Sequence, residues 1–256
     1  MPKRNKKKII RIIIIITSIG LIVLASFLFY KWLMYEKAKF TRYPEFNIYI
    51  PDGYTIHGID VSKHQSIIAW EEVKKMDVSG IRLGFAFIKA SEGIGNGDVQ
   101  FKRNWKKSKD NDIIRGAYHF FIATKDGKMQ AENFIKRVDI EPGDFPPVLD
   151  VEEKYGASKA QIQKEVKKWL DVVENYYKVK PIIYTNVDFY ERYLGEDFDD
   201  YPLWVAHYYQ LQQPRIKREW LFWQHSDKGN VNGIVNKVDF NVFNGDSSAF
   251  RSILVQ

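Results

Sequence analysis

The sequence of 256 residues contains no cysteine. This absence excludes a disulfide framework and a thiolate site, and it leaves the redox compartment open. None of the five histidines belongs to an H-x-x-x-H pair, so a zinc site has little support. The run Gly93-Ile-Gly-Asn-Gly97 lacks the Lys-Ser/Thr that a phosphate-binding loop requires. We therefore expect neither a metal nor a cofactor.

The main part of the chain also lacks an excess of positive charge. The formal net charge is +7, but residues 1–42 hold ten Lys or Arg against one acid, Glu36, and contribute +9. The remainder therefore carries −2, which argues against a face that binds nucleic acid. With 45% hydrophobic and 15% aromatic residues, the chain can form a substantial core in one large domain or two small ones.

One long hydrophobic run follows the basic N-terminal residues. Ile12–Tyr30 contains 19 residues without a charge, enough to span a bilayer core of about 30 Å as a helix. A cleaved signal peptide is the competing interpretation, but the run is long for one and no small-x-small cleavage site follows it. We predict a basic tail at 1–8, a transmembrane signal anchor at 9–32 and a juxtamembrane linker at 33–54.

The positive charges before this span predict its orientation. They favour a cytoplasmic N-terminus, so we expect a single-pass protein of the cell membrane with residues 55–256 outside the cytoplasm. The body should be a monomer attached to the membrane through this one helix.

From Thr55 onward, short apolar runs alternate with helical patterns. Strands are predicted at 56–61, 81–89, 114–121, 148–152, 181–185, 203–206, 221–224 and 238–242. Helices are predicted at 67–76, 101–109, 129–138, 158–177 and 188–193, the first with Ile67, Trp70 and Val73 facing inward and the fourth capped by Ser158. Eight strands with missing late helices favour a modified TIM-like β/α barrel, with an open doubly wound sheet as the alternative.

The fourth predicted strand carries two acids, in Val148-Leu-Asp-Val-Glu152. In an extended strand Asp150 and Glu152 share a face, with Cα atoms roughly 6–7 Å apart. Two carboxyl groups in one small volume suit the cleavage of a glycosidic bond. A strand that frays into a solvated acidic turn explains an isolated D-x-E as well, so the other strand ends must decide.

Polar and aromatic residues gather at the remaining strand ends, which meet at one face of a barrel. They are Asp60, Lys89 to Glu92, Tyr118 and His119, Tyr184 and Asn186, His207 and Tyr208, and Gln224 and His225, with Asp239 at the start of the last strand. Structural alternatives remain: Asp60 as a cap, His119 as a satisfied core histidine, and Trp204 and Trp223 as barrel filling. So many acids and aromatics at strand ends together favour a site.

Eight segments in order resemble the motifs of the glycoside hydrolase family 25 lysozymes. They are His57-Gly-Ile-Asp-Val-Ser62, Phe87-Ile-Lys-Ala-Ser-Glu-Gly93, Arg115-Gly-Ala-Tyr-His-Phe120, Leu149-Asp-Val-Glu152, Pro181-Ile-Ile-Tyr-Thr-Asn186, Leu203-Trp-Val-Ala206, Phe222-Trp-Gln224 and Val238-Asp-Phe-Asn241. The resemblance implies a barrel with five helices that cleaves the β-1,4 bond between N-acetylmuramic acid and N-acetylglucosamine in peptidoglycan. The sequence departs from the family pattern at Asn96, where an aromatic residue is usual, and at Ser66, where a small turn residue is common. The substrate preference therefore stays open.

The resemblance also implies the roles of the acids. Glu152 is expected to be the general acid, with Asp150, Asp60 and Asp239 as accompanying carboxylates and Asp150 as the main source of a raised pKa at Glu152. Asp150 is favoured to orient the substrate's 2-acetamido group, while a direct nucleophile and water attack stay open. Sugar contacts are expected from Tyr118, His119, Tyr184, Trp204, Trp223 and Gln224. The competing function is a catalytically silent scaffold that binds peptidoglycan.

Overall fold

The computed structural model describes residues 3–37, 40–208, 210 and 213–256, with side chains for 8–32 and for the residues from 40 onward in these ranges. The chain begins with helix α1, Lys3–Lys37. Its segment Lys8–Trp32 is long and apolar enough to cross a membrane, and none of it is buried against the rest of the protein. Two strands, β1 (Phe40–Tyr43) and β2 (Ile48–Pro51), follow as an antiparallel hairpin.

The remaining elements alternate between strands and helices for most of the chain. In order they are β3 His57–Val61, α2 Trp70–Lys75, β4 Asp77–Val78, β5 Ile81–Glu92, β6 Asn96–Gly97, α3 Phe101–Asp110, β7 Ile114–Phe120, α4 Gly127–Ile135, β8 Val148–Asp150, α5 Lys159–Tyr177, β9 Ile182–Asn186, α6 Val187–Phe189, β10 Leu203–Ala206, β11 Phe222–Gly229, β12 Val238–Phe243 and α7 Ser247–Ser252. Short 3₁₀ turns lie at Lys63–Gln65 and Glu196–Phe198, and a π-helical turn lies at Tyr190–Leu194.

Eight strands close into a barrel, which confirms the predicted fold over an open sheet. Strands β3, β5, β7, β8, β9, β10 and β11 are parallel to one another in that order, and β12 pairs with both β11 and β3 to complete the ring. Strand β12 runs antiparallel to both neighbours. Its first residues therefore lie at the face where the other strands end.

The later crossovers are short, as the sequence predicted. The described residues between β10 and β11, and the whole connection from β11 to β12, contain no α-helix. Helix α5 follows the prediction closely: the Ser158 side chain accepts a hydrogen bond from the Gln161 N–H, and a buried stripe faces the strands. The members of that stripe are Ile162, Val166, Trp169, Leu170 and Val173.

Aromatic side chains fill the barrel interior. Phe87 stacks on Trp204 with ring centroids 4.3 Å apart, and Phe222 packs edge-on against Phe87 at 5.1 Å and lies 5.3 Å from Phe85. All four side chains are at most 2% exposed. Because the interior is filled at this level, an opening can form only at an end of the barrel.

Two local predictions were wrong. Helix α2 begins at Trp70 rather than Ile67, because the Ala69 N–H is bonded to the Gly233 carbonyl at 2.9 Å and holds the preceding segment off the helix axis. The Ile67 side chain is consequently 62% exposed, not inward. Strand β8 ends at Asp150, so Glu152 lies just beyond the strand rather than in it.

The predicted linker at 33–54 contains the hairpin β1–β2. Asn47 takes a left-handed φ of 56° in the turn, which asparagine tolerates well, and its N–H bonds to the Pro44 carbonyl at 3.0 Å. Phe46 is fully buried, and Ile48 and Ile50 are at most 4% exposed. Folded structure in the body thus begins at Phe40 rather than at Thr55.

Candidate active site

A cleft of about 420 Å³ opens at the end of the barrel where the parallel strands finish. Five carboxylic acids line it: the four that the sequence singled out, Asp60, Asp150, Glu152 and Asp239, and in addition Asp227. Asp60 and Asp150 come from the ends of β3 and β8, and Glu152 follows β8. Asp239 comes from the start of the antiparallel strand β12, where it pairs directly with Asp60. The fold therefore brings together all four acids that the sequence predicted.

Asp60 is the best-connected of these acids. Its Oδ2 accepts hydrogen bonds from the side-chain amides of Gln224 and Asn241, each at 2.7 Å. The Gln224 Oε1 in turn accepts the hydroxyls of Tyr184 at 2.7 Å and Tyr208 at 2.6 Å. These amide donors stabilise the charged form of Asp60 and fix its orientation.

Asp60 and Asp239 form a hydrogen-bonded pair of acids. Burial and the charge of Asp60 raise the pKa of Asp239 to about 9. Burial raises the pKa of Asp60 only to about 6, because hydrogen bonds from Asn241, Gln224 and Asp239 oppose it. At neutral pH Asp239 is therefore the protonated partner that donates to an ionised Asp60.

Asp150 and Glu152 form the second pair. Burial and the neighbouring Glu152 raise the pKa of Asp150 well above its ordinary value. The pKa of Glu152 is raised as well, by burial and then by Glu153 and Asp60, while a hydrogen bond from Tyr184 and the charge of Lys89 oppose the rise. Asp150 was predicted as the main source of the shift at Glu152, and this is wrong: burial is the larger cause, since Glu152 lies beyond the strand in a partly enclosed position.

The Asp150 carboxyl has one oxygen with no partner in the protein. Its Oδ1 is buried and accepts no hydrogen bond from the described residues. A buried acceptor left open in a cleft is suited to a donor on a bound molecule. The positive charge of Lys89 lowers the pKa of both acids, but its ammonium is bound by Glu92 at 2.7 Å and lies 4.4 Å from the centroid of the Phe120 ring.

Four of the six predicted sugar-binding residues line the cleft: Tyr118, Tyr184, Trp204 and Gln224. Tyr184 and Trp204 pack with ring centroids 4.4 Å apart, and the Trp204 Nε1–H donates to Asn241 Oδ1 at 2.8 Å. Trp204 thus belongs both to the cleft and to the barrel filling.

The other two predicted sugar contacts do not line the cleft, and both are corrected. His119 points outward under the helices, where it contacts Ser91 Oγ at 2.8 Å and stacks on Trp169 at 5.9 Å. It is a satisfied core histidine, the alternative that the sequence left open. Trp223 is fully buried beneath the hairpin, and its Nε1–H donates to the His207 carbonyl at 2.9 Å. The alternation of side chains along β7 and β11 turns these two outward.

Several residues at or beneath the cleft carried no prediction. Asn241 is fully buried between Asp60 and Trp204, and it shares the inward face of β12 with Asp239, two residues before it. That spacing was the available signal. Asp227 raises the pKa of Asp239 further. Lys237 and His64 complete the rim from loops, where strand periodicity gives no information.

The segment near Asn96, where the sequence departs from the family pattern, is hydrogen-bonded to the loop that follows β3. Asp98 accepts hydrogen bonds from the backbone N–H of Lys63 at 2.7 Å and of Gln100 at 2.8 Å. In the part of the chain that the structure describes, no three His, Asp or Glu side chains are grouped to hold a metal ion. The site brings together carboxyl groups whose pKa values are raised, an arrangement suited to acid–base chemistry.

Known proteins resemble this chain in sequence or in fold. YegX of Escherichia coli strain K12, which is uncharacterized, is 52% identical over 200 residues, covering 78% of this chain and 74% of YegX. Lysozyme M1 of Streptomyces globisporus is 33% identical over 218 residues, covering 77% and 71% respectively. The structure of a family 25 glycosyl hydrolase from Bacillus anthracis matches with a TM-score of 0.73 and 30% identity, covering 83% of this chain and 99% of that one.

The family model for glycosyl hydrolases family 25 matches residues 59–234, most of the barrel. This match agrees with the eight sequence motifs and with the closed barrel. The chain therefore belongs to family 25 of the glycosyl hydrolases.

Proposed function

We propose that this glycoside hydrolase is a membrane-anchored N-acetylmuramidase that cleaves the β-1,4 bond between N-acetylmuramic acid and N-acetylglucosamine in peptidoglycan. The observation that carries the proposal is the cleft with four carboxylic acids at its centre. The similarity to Lysozyme M1 supports the substrate class. Cleavage of a glycosidic bond needs one carboxyl group that donates a proton and another that is ionised. Two pairs of acids with raised pKa values at one cleft can supply both.

Glu152 is the proposed general acid. Its raised pKa favours the protonated form that an acid needs, and its partly open position at the cleft lets it reach the leaving oxygen. A substrate N–H donated to Asp150 would favour the charged form of Asp150. The proton shared within this pair would then reside on Glu152, where the reaction uses it.

Asp150 is the proposed orienting group for the 2-acetamido group of the substrate. The open Oδ1 of Asp150 can accept the acetamido N–H and thereby direct the acetamido oxygen toward the anomeric carbon. Retention of the anomeric configuration is the expected result, and NMR of the first product formed measures it. An inverted product would refute this route.

Asp60 is proposed to stabilise the positive charge that develops on the sugar, with Asp239 as its proton-bearing partner. The two amide donors keep Asp60 ionised, and Asp239 holds the proton that would otherwise bind there. Tyr118, Tyr184, Trp204 and Gln224 are proposed to contact the sugar rings. No cofactor is needed for any of these steps.

The helix Lys8–Trp32 is the proposed membrane anchor, with the N-terminus in the cytoplasm and the barrel outside. Its exposed apolar side chains have no covering surface in the described residues, which fits a lipid environment. Protease treatment of spheroplasts is expected to degrade the barrel, whereas a protected barrel would contradict this topology.

Digestion of purified peptidoglycan by the full chain in detergent tests the proposed activity. Mass analysis is expected to find new fragments that end in reducing N-acetylmuramic acid. Fragments ending in N-acetylglucosamine would contradict the assigned bond. Binding to peptidoglycan without any release would support the silent scaffold instead.

A further inference from the structure

The hairpin β1–β2 lies along the outer face of β11 and β12, with its turn toward the cleft. Phe46 in the turn packs on Phe240 with ring centroids 5.1 Å apart. Its carbonyl accepts the Asn230 N–H at 2.8 Å, and Asn230 directly follows β11. The β11–β12 connection belongs to the cleft end, because Lys237 from that connection lines the cleft.

The open end of the hairpin lies toward the opposite end of the barrel. Phe40, its first residue, packs edge-on against Trp223 at 6.1 Å. Trp223 pairs with Val242, and Val242 pairs with His57 at the start of β3. Asp60 lies three residues further along β3, so Phe40 sits about 10 Å below the cleft carboxylates along the strand direction.

The hairpin packs on the barrel through an apolar interface. Phe46 is completely buried, and Ile48 and Ile50 are nearly so. Tyr54, just after the hairpin, packs on Trp223 at 6.1 Å. Burial of these large apolar side chains stabilises the docked position of the hairpin.

Little chain separates the hairpin from the apolar helix. Helix α1 continues to Lys37, five residues beyond Trp32, and three peptide units then join Lys37 to Phe40. Five helical residues rise about 8 Å and three extended residues reach about 11 Å, so Phe40 lies within roughly 20 Å of the membrane edge. The barrel is therefore attached by its closed end, and by a short connection.

We propose that the hairpin is a mount that sets the direction of the active site, holding the closed end of the barrel toward the bilayer and opening the cleft away from it. This orientation rests on the proposed membrane anchor and glycan hydrolase. The substrate is then polymerised glycan on the wall side of the barrel, not glycan still held at the membrane surface. The hairpin precedes the segment matched by the family model.

The absence of cysteine allows a direct test with single labels. Lys154→Cys places a fluorophore after β8 at the cleft end, and Lys180→Cys places one shortly before β9 at the closed end, both at exposed lysines. In the full chain reconstituted into liposomes that carry an acceptor at the lipid surface, energy transfer is expected to be stronger from position 180 than from position 154. Equal transfer, or stronger transfer from position 154, would overturn the proposed orientation.

A matched variant separates the mount from a chance orientation. A flexible insertion of about 20 Gly and Ser residues between Lys37 and Phe40 leaves every hairpin and barrel contact in place but frees the body to tumble. The difference between the two labels is expected to disappear, and its persistence would show that the short connection to the hairpin is not the cause.

Two further readings distinguish failure of the inference from failure of the proposed function. Each labelled chain is floated with liposomes, and a chain that does not float overturns the anchor and the orientation together. Digestion of peptidoglycan by the same chains in detergent reports on the hydrolase alone, because it does not depend on which way the barrel faces.

Discussion

Two groups of buried ionisable side chains lie a short distance apart in this barrel and behave in opposite ways. Asp60, Asp150 and Asp239 at the cleft have raised pKa values. His57 on β3 and His225 on β11 are buried away from the cleft lining and have lowered pKa values of about 4 and about 3. Burial is the largest cause in both groups, and in both it favours the neutral form.

The groups differ in what their atoms face. The carboxyl groups open into a cleft, and amide and hydroxyl donors hold Asp60 in its charged form. Both ring nitrogens of His225 are buried without a partner in the described residues, and its ring packs against Trp223 and Phe240. A perturbed pKa therefore marks a site here only together with an opening to bound molecules.

The largest loss of activity is expected from Glu152→Gln, a change in the acids of the cleft. The variant keeps the shape of the side chain but removes its proton-donating ability, so the rate of glycan release is expected to fall by about 10²–10⁴-fold. Because a carboxyl group with a raised pKa destabilises the folded state at neutral pH, thermal unfolding at pH 7 should occur at the same or a higher temperature. Release of reducing ends and thermal unfolding together measure the two effects.

The matched control is the exposed neighbour. Glu153→Gln removes a charge that raises the pKa of Glu152, so activity should remain but its alkaline limit should move to lower pH. If Glu152→Gln retained most of the activity, or if the two variants were equally impaired, Glu152 would not be the acid.

The next largest effect should separate the two members of the Asp60 and Asp239 pair. In Asp239→Asn the amide can still donate to Asp60, as protonated Asp239 does, so a loss of less than about tenfold is expected. Asp60→Asn removes the charge that accepts from Gln224 and Asn241, which is worth about 1–3 kcal/mol, or roughly 5-fold to 150-fold in rate. Parallel measurement of kcat/KM decides, and a larger loss in Asp239→Asn would reverse the assigned protonation states.

Much of the barrel could be predicted from the sequence because its strands are apolar runs bounded by polar residues. The antiparallel direction of β12 could not, since a run such as Val238 to Phe243 has the same pattern in either direction. That direction explains why Asp239 contributes from the start of its strand. The hairpin at 40–51 was missed because four-residue strands around Pro44-Glu-Phe-Asn47 resemble a linker in composition.

For the site, the sequence indicated which residues lie near one another better than it indicated the direction of each side chain. The acids were found because carboxylates at strand ends are uncommon in a core. His119 and Trp223 were placed wrongly because a neighbouring pair at a strand end has one member on each face, and composition does not say which. Asn241 was missed because an uncharged amide gives no chemical signal until its bonds to Asp60 and Trp204 are seen.

Substitution of a buried histidine should change the stability of the protein rather than its activity. The ordinary pKa of 6.5 is lowered to about 3 for His225 in the folded state, so between these values the unfolded chain binds a proton that the folded chain does not. Stability should therefore fall as pH drops below 6.5. His225→Phe is expected to remove about 2 kcal/mol of that loss at pH 5, with little change at pH 7.5. Urea unfolding at both values measures it, and an equal effect at both would contradict a neutral buried histidine.

The smallest expected effect compares two tryptophans, one on each side of the barrel wall. Trp204→Phe loses the bond to Asn241 at the cleft floor, so KM should rise several-fold as the floor and Asp60 become less well placed. Trp223→Phe loses a bond to the His207 carbonyl beneath the hairpin, which should cost about 1 kcal/mol of stability while glycan release changes by less than twofold. Steady-state kinetics and urea unfolding of both variants separate the two roles. A clear KM effect from Trp223→Phe would mean that packing on the outer face of the barrel strands influences substrate binding in the cleft. The two faces would then not be independent of each other.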